Sequence, residues 1–298
     1  MKTTTINISL PETLLKAADK QAETELRNRS ELIRESLRTY LISKSGGAED
    51  SFTKEEIERA KRILDFSNLK QERVVVLSSV LRPQPNKIVN IFGGAESPVA
   101  KLMENPPSFR NSGWDLQTLD HAKPVAGEYL EAVNGDRKIL RLYRDGQIVF
   151  SGDEQFFGHG ANKDNDEDVP EKNIFSFNGL GIAEAVANFT NFSFKMAEFS
   201  EEPVNKIIFK IEIFNPNKTA LGLKNIVRNF PWPESVGEMH LDFAQREIVI
   251  PFSKDFKFEK AAYNILAELF FFFGLSEDRF WYVNKETKEV DLNFFKER

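Results

Sequence analysis

Residues 1–42 read MKTTTINISLPETLLKAADKQAETELRNRSELIRESLRTYLI, and the organisation of the chain follows from them. Between Thr3 and Leu10 apolar and polar residues alternate, with Ile6, Ile8 and Leu10 on one face and Thr5, Asn7 and Ser9 on the other. A period of two predicts a half-buried strand. Pro11 then fixes φ and opens a helix, where the first residue needs no N–H. Leu14, Leu15, Ala18 and Ala22 follow at helical spacing, leaving Lys16, Asp19, Lys20 and Glu23 for solvent. Beyond Glu25-Leu26-Arg27, the run Asn28-Arg29-Ser30-Glu31 places an Asn cap three residues before a Glu, which starts a second helix. Leu32, Ile33, Ser36, Leu37, Tyr40 and Leu41 line one face of it.

A strand of about eight residues and two short helices bury too little to close a core alone. A two-fold dimer resolves this: the two strands pair antiparallel and four helices interlock beneath them. Its expected core is Ile6, Ile8, Leu10, Leu14, Ile33 and Leu37. In this order of strand, Pro, helix, polar turn and helix, the first 45 residues or so resemble the ribbon-helix-helix family of β-ribbon DNA readers, the Arc, MetJ and CopG type. The resemblance rests on the alternating strand ending in Leu10-Pro11-Glu12 and on the helix start Asn28-Arg29-Ser30-Glu31-Leu32-Ile33-Arg34-Glu35.

The resemblance implies that the outward strand residues Thr5, Asn7 and Ser9 face base edges in the major groove of double-stranded DNA, which admits a two-stranded ribbon. Asn pairs bidentately with adenine, and Thr and Ser donate, accept or touch a thymine methyl. Many relatives carry Arg or Lys at one of these positions. This chain does not, which implies modest affinity or an A/T-leaning site. The start of the second helix is expected on a phosphate, where free N–H groups and the helix dipole favour an anion. Lys2, Asn28, Arg29 and Ser30 are the expected phosphate contacts.

The net charge of −6 looks unfavourable for a DNA binder until it is partitioned. Residues 1–45 hold eight Lys or Arg and six Asp or Glu, net +2, and the remainder is net −8. A mildly basic head on an acidic body suits a regulator whose body should not adhere to DNA. The chain has 27 Phe, so an aromatic-rich core is expected, and it has no Cys. That excludes disulfides, thiolate metal sites and cysteine nucleophiles. No apolar run spans a bilayer, and Met1-Lys2 leads directly into a polar strand rather than a signal peptide. A cytoplasmic location without membrane contact is expected.

The expected organisation is a ribbon-helix-helix domain over 1–45, a linker and connecting helix over 46–68, and an α+β domain over 69–298. SKSGGAED over residues 43–50 is the flexible linker. Thr53-Lys54-Glu55-Glu56 is a second capping box, opening a helix to about Phe66 with Ile57, Ala60, Ile63 and Leu64 on one face. It either extends the dimer contact or docks on the body. Strands are expected over 74–81 and 87–92, then a three-stranded antiparallel meander over 129–133, 139–144 and 147–151. Asn134-Gly135-Asp136 and Asp145-Gly146 supply its turns. Further strands are expected over 174–177, 207–214, 239–243, 247–252 and around 280–283. Helices are expected over 182–199 and 258–273. Segregated helices with antiparallel β define the α+β class. Trp114 through Gly152 also resembles, in a Trp followed by the hairpin Leu142-Tyr143-Arg144-Asp145-Gly146, the region after the nucleic-acid-binding domain of Schlafen/AlbA-type bacterial proteins. That resemblance implies a sensor or interaction module.

No catalytic signature emerges, so no enzyme and no cofactor is expected. Gly179-Leu180-Gly181 follows a strand and precedes a helix, as in a dinucleotide loop. It lacks the third Gly and a repeating βαβ frame, and reads better as a helix start. Residues 164–168 resemble a calcium loop by charge alone. His121, His159 and His240 are too scattered for a metal motif, and no metal site is expected. Phe270 to Phe273 read as core rather than pocket, and Trp232 as packing. The resulting expectation is a homodimeric or larger transcriptional repressor, with autoregulation as its natural circuit, whose body senses a small ligand or drives assembly. The alternative is an antitoxin-like protein whose body neutralises a protein partner, and a ribbon-delivered enzyme ranks behind both.

Overall fold

The computed structural model describes residues 50–65, 73–84, 97–110, 113–118, 121–134, 137–158, 175–200, 202–216, 219–222, 235–239, 243–253, 255–275 and 282–296, together with Glu12, Leu15, Lys16, Asp19, Lys20, Arg29 and Ile33. The chain divides into two compact units, Met1–Asp50 and Ser51–Arg298.

In the second unit, Thr53 makes both halves of the capping box that its sequence predicts: its side chain accepts from Glu56 N–H, and the Glu56 side chain from Thr53 N–H. Helix α1 (Lys54–Lys61) starts there and tightens into a 3-10 turn over Arg62–Asp65. It docks on the body. Ala60 and Ile63 are buried with Val74, Val76, Ile139, Tyr143 and Val149, and Leu64 packs beside them.

Strand β1 (Val74–Arg82) is buried along its whole length, since both faces are covered. Val74 and Val76 look toward α1, whereas Val75, Leu77 and Leu81 enter the main core. β1 pairs antiparallel with β5 (Ile148–Asp153) on one side and β7 (Lys206–Phe214) on the other, Leu77 standing opposite both Phe150 and Ile211. The sheet extends through β4 (Lys138–Tyr143), β3 (Tyr129–Asn134) and β2 (Lys123–Val125), and at the opposite end through β10 (Phe243–Pro251). Its order is β10-β7-β1-β5-β4-β3-β2, and every neighbouring pair is antiparallel. The meander is therefore present as β3, β4 and β5. Gly146, at φ +85°, closes the β4–β5 hairpin, a left-handed conformation that suits glycine.

Helix α4 (Gly179–Glu198) lies across the main-core face, with α5 (Phe258–Phe271) beside it in the same core. Thr190 and Asn191 at the centre of α4 weaken its helical signal in the sequence. Thr190 Oγ1 instead donates to Val186 O at 2.7 Å, Ser193 Oγ donates to Phe189 O at 2.9 Å, and Ser79 of β1 meets Ser193 at 2.9 Å. Hydroxyls satisfied on the helix's own carbonyls can be buried. Phe189 meets Phe209 edge to face at 6.2 Å. Among the described residues of the body, short helices α2 (Pro98–Glu104), α3 (Glu154–Phe157) and α6 (Leu292–Lys296) complete the helices. A second sheet of three strands, β6 (Phe175–Asn178), β8 (Thr219–Gly222) and β9 (Ser235–Met239), has β6 parallel to β8, and β11 (Val283–Asn284) pairs with β12 (Glu289–Val290). The class is α+β.

Several expectations need correction. The two strands expected over 239–243 and 247–252 have other bounds: β9 ends at Met239, β10 runs unbroken from Phe243 to Pro251, and residues 240–242 lie outside the described residues. Gln245 is exposed while Arg246 and Glu247 are half-buried, so polar residues sit within this edge strand without interrupting it. The α4 helix begins at Gly179 rather than Ile182. The expected strand over 87–92, Trp232, His159, His240 and the acidic run 164–168 lie outside the described residues.

Candidate nucleic-acid interface and body cleft

Thr5, Asn7 and Ser9, with Lys2, Asn28 and Ser30, lie outside the described residues, as do Ile6, Ile8, Leu10, Leu14 and Leu37 of the expected dimer core. Arg29 and Ile33 are described, and both are helical. Arg29 is exposed and Ile33 half-buried. Arg29 is also engaged. Its guanidinium grips Asp19 as a fork, with Nη2 at 2.6 Å from Oδ2 and Nε on Oδ1. Such a bidentate pair fixes the guanidinium plane. The sequence offered no signal for this bridge, because it spans ten residues of chain. Glu12 and Lys16, exposed and 2.8 Å apart, form an i,i+4 pair that adds a few tenths of a kcal/mol at most.

The body contains a cleft of about 450 Å³ lined by Gly113, Trp114, Asn134, Arg137, Lys138, Gln155 and Phe156. Its floor is Trp114. The indole Nε1 donates to Phe156 O at 2.8 Å, Arg110 lies over the ring at 5.5 Å, and the other side rests on Gly181. A Cβ at Gly181 would come within 2.6 Å of the indole, so glycine is required for this close approach. Arg110 in turn forks onto Glu184 of α4, whose side chain is fully buried, with Nε at 2.9 Å from Oε1. The glycine-rich start of α4 is thus a packing surface. Asn178 Oδ1 accepts from Leu180 N–H at 3.0 Å and Gly181 N–H at 3.1 Å, so the donors a dinucleotide phosphate would use are already satisfied.

Lys138 forms one wall. Buried, it places Nζ 3.0 Å from Asp115 Oδ1 and 5.2 Å from the Phe156 ring centre. Arg137 is exposed at the rim. Asp153 sits nearby as the N-cap of α3, accepting from Phe156 N–H at 2.8 Å. Burial pushes its pKa up, against the lowering pull of the Phe156 and Gln155 N–H groups and of Arg137. The lining thus combines Arg137, the Lys138 cation paired with Asp115, the amides of Asn134 and Gln155, and the rings of Trp114 and Phe156. Only Trp114 of this set was singled out by sequence reading.

On the α1 face of the sheet, ion pairs carry structure. Glu56 holds Arg82 through both guanidinium nitrogens, Nη1 at 3.0 Å and Nη2 at 2.7 Å, with both side chains buried. Gln147 Nε2 donates to Glu56 O at 2.7 Å. Lys210 lies 3.0 Å from Glu212, also buried. Phe270 and Phe273 are core, while Phe271 is exposed and Phe272 lies beneath Arg246. Among the described residues no three His, Asp or Glu gather into a metal site, and His121 is exposed with Nδ1 3.2 Å from Glu104. Among the same residues no helix is long and apolar enough to cross a membrane.

Comparison with known families matches residues 4–44 to the ribbon-helix-helix proteins of the copG family. Neither the curated proteins nor the solved structures returned a match. That family binds DNA and is usually dimeric. The head of this chain is therefore a ribbon-helix-helix segment of the copG family, carried by an α+β body, which places the protein among DNA-binding regulators in general.

Proposed function

We propose that the protein is a dimeric, sequence-specific transcriptional repressor acting on its own operon, with a non-catalytic body that senses a small ligand. The observation that carries this reading is the ribbon-helix-helix match over residues 4–44, in a segment whose net charge is positive while the body is acidic. Thr5, Asn7 and Ser9 of paired strands read base edges, and Asn7 supplies the adenine contact. Asn28, Arg29 and Ser30 seat a phosphate at the helix start, with Lys2 on the backbone. Arg29 reaches that phosphate while Asp19 holds its plane. The cleft beside Trp114 and Phe156, with Arg137 exposed at its rim, supports the sensing role.

The test is fluorescence anisotropy of the protein on duplex DNA from its own upstream region, against scrambled duplex, at several salt concentrations. Preference for the native duplex, loss of affinity with salt, and a loss of about 1–3 kcal/mol in Asn7→Ala are expected. Arg29→Ala should weaken both duplexes alike and lower the salt slope by about one. An absence of preference, or an unaffected Asn7→Ala, sinks the reading and turns the head into a dimerisation device for a partner-binding body.

A further inference from the structure

Strand β10 is the edge of the seven-stranded sheet, with β7 on one side and, among the described residues, no strand on the other. It is nine residues long and flat in register, Phe243 opposite Phe214 through to Pro251 opposite Lys206. The direction of its backbone groups follows from one bond. Phe252 N–H donates to Asn205 O at 2.8 Å, so residues of even number exchange hydrogen bonds with β7. Phe243, Gln245, Glu247 and Val249 therefore point their N–H and C=O groups away from the sheet, and Gln245 O there accepts a long bond of 3.4 Å from Arg246 Nη1. Pro251, which has no N–H to offer, falls on the same outward side. Phe243 and Val249 are also two of the three large apolar side chains exposed in the described body, at 38 % and 41 %. An exposed edge of this length, with apolar residues near both ends and no lysine in it, is a template for another strand.

We propose that β10 pairs antiparallel with β10 of a second copy of this chain, with the two-fold axis passing between the two Arg246 residues. The occupant is chosen by self-complementarity. In this register Phe243 stands opposite Val249 of the other copy and Gln245 opposite Glu247, at both ends alike. Every outward N–H and C=O from Phe243 to Val249 is then used, an aromatic residue meets a β-branched one, and an amide meets a carboxylate. Moving the axis to Glu247 sets two carboxylates face to face and places Phe243 against the proline, which has no donor. On the opposite face the two Arg246 side chains come together at the axis. Each lies 3.6 Å from a Glu268 carboxylate and 5.3 Å above a Phe272 ring, which disperse the like charge. The copG-family head supplies the second copy: two bodies tethered to one head dimer meet at an effective concentration on the order of millimolar. The pairing rests on head dimerisation for that concentration alone and does not require DNA.

The chain has no cysteine, so single cysteines introduced into the full-length protein report the register without background. Residues facing each other across a two-fold axis in an antiparallel pair lie within disulfide range. Under mild oxidation without DNA, Arg246→Cys should give a covalent dimer as the main species on a non-reducing gel. The double variant Gln245→Cys/Glu247→Cys should do the same from surface positions, which covers the case in which Arg246→Cys folds poorly. Gln245→Cys and Glu247→Cys alone should remain monomeric on the gel. Failure of the two cross-linking variants to dimerise, with circular dichroism showing them folded, overturns the proposal. Cross-linking of the single Gln245 or Glu247 variants as readily as Arg246→Cys also overturns it. Operator binding, measured separately by anisotropy on the cysteine-free protein, stands or falls independently.

Discussion

The Glu247 carboxylate is half-buried on β10, and loss of water pushes its pKa above the ordinary carboxylate range. The Phe52 N–H, 3.4 Å from Oε2, and Lys210 pull it down, while Glu212 and Glu56 add to the rise. A folded-state pKa above the unfolded one means that folding takes up a proton between the two values. The destabilising contribution is absent below the unfolded pKa and complete above the folded one. Glu247→Gln keeps an acceptor for Phe52 N–H and removes the charge. It should raise stability in urea unfolding near neutral pH and have little effect below about pH 4, where the wild-type carboxyl is protonated in both states. None of this was visible in the sequence, where Glu247 and Phe52 stand 195 residues apart. The same holds for Arg29 and Asp19, for Glu56 and Arg82, and for Arg110 and Glu184. A charge on a helix face announces a solvated position, and its partner is set by tertiary contact.

Among the elements, those whose signal is local were legible. Thr53 and Glu56 spelled out the cap of α1, and Asp145-Gly146 the β4–β5 hairpin. β2 was not, because its turn to β3 uses Ala126 at φ +50° followed by Gly127, without the Asn-Gly or Asp-Gly signature. The bounds of β10 were missed because alternation fades on an edge strand that water touches. The start of α4 was misplaced because its glycines look like helix breakers. The reason for Gly181 is Trp114, a residue of a distant loop. Gly181→Ala should destabilise the body by about 1–3 kcal/mol through overpacking and shift Trp114 fluorescence as the indole is displaced. Denaturant midpoints and emission spectra check both, and an unchanged midpoint contradicts the contact.

For the whole molecule, the α+β class followed from the alternation of β-branched runs with two long apolar helices. The layering did not, since nothing in VVVLSSVLR tells a strand covered on both faces from one covered on a single face. The cleft was equally hidden: it draws Gly113 and Trp114, then Asn134, Arg137 and Lys138, and Gln155 with Phe156 from separate stretches of the chain. The second compact unit closes its own core from β1, β5 and β7 against α4 and α5. A fragment of residues 51–298 is therefore expected to unfold in one cooperative urea transition with native near-ultraviolet circular dichroism. A non-cooperative transition would show that the body depends on the head. The way the chain enters that unit also sets how tension is received. Ser51 O accepts from Arg82 Nη2 at 3.0 Å, Phe52 is buried, and Glu56 clasps the same guanidinium. A pull on Ser51 is thus delivered to the Arg82 end of β1, which pairs with β7 from Arg82 to Val74, so many bonds carry it in shear at once. Pulled from its first residues, this unit should hold until those bonds fail together, rather than losing its strands one by one.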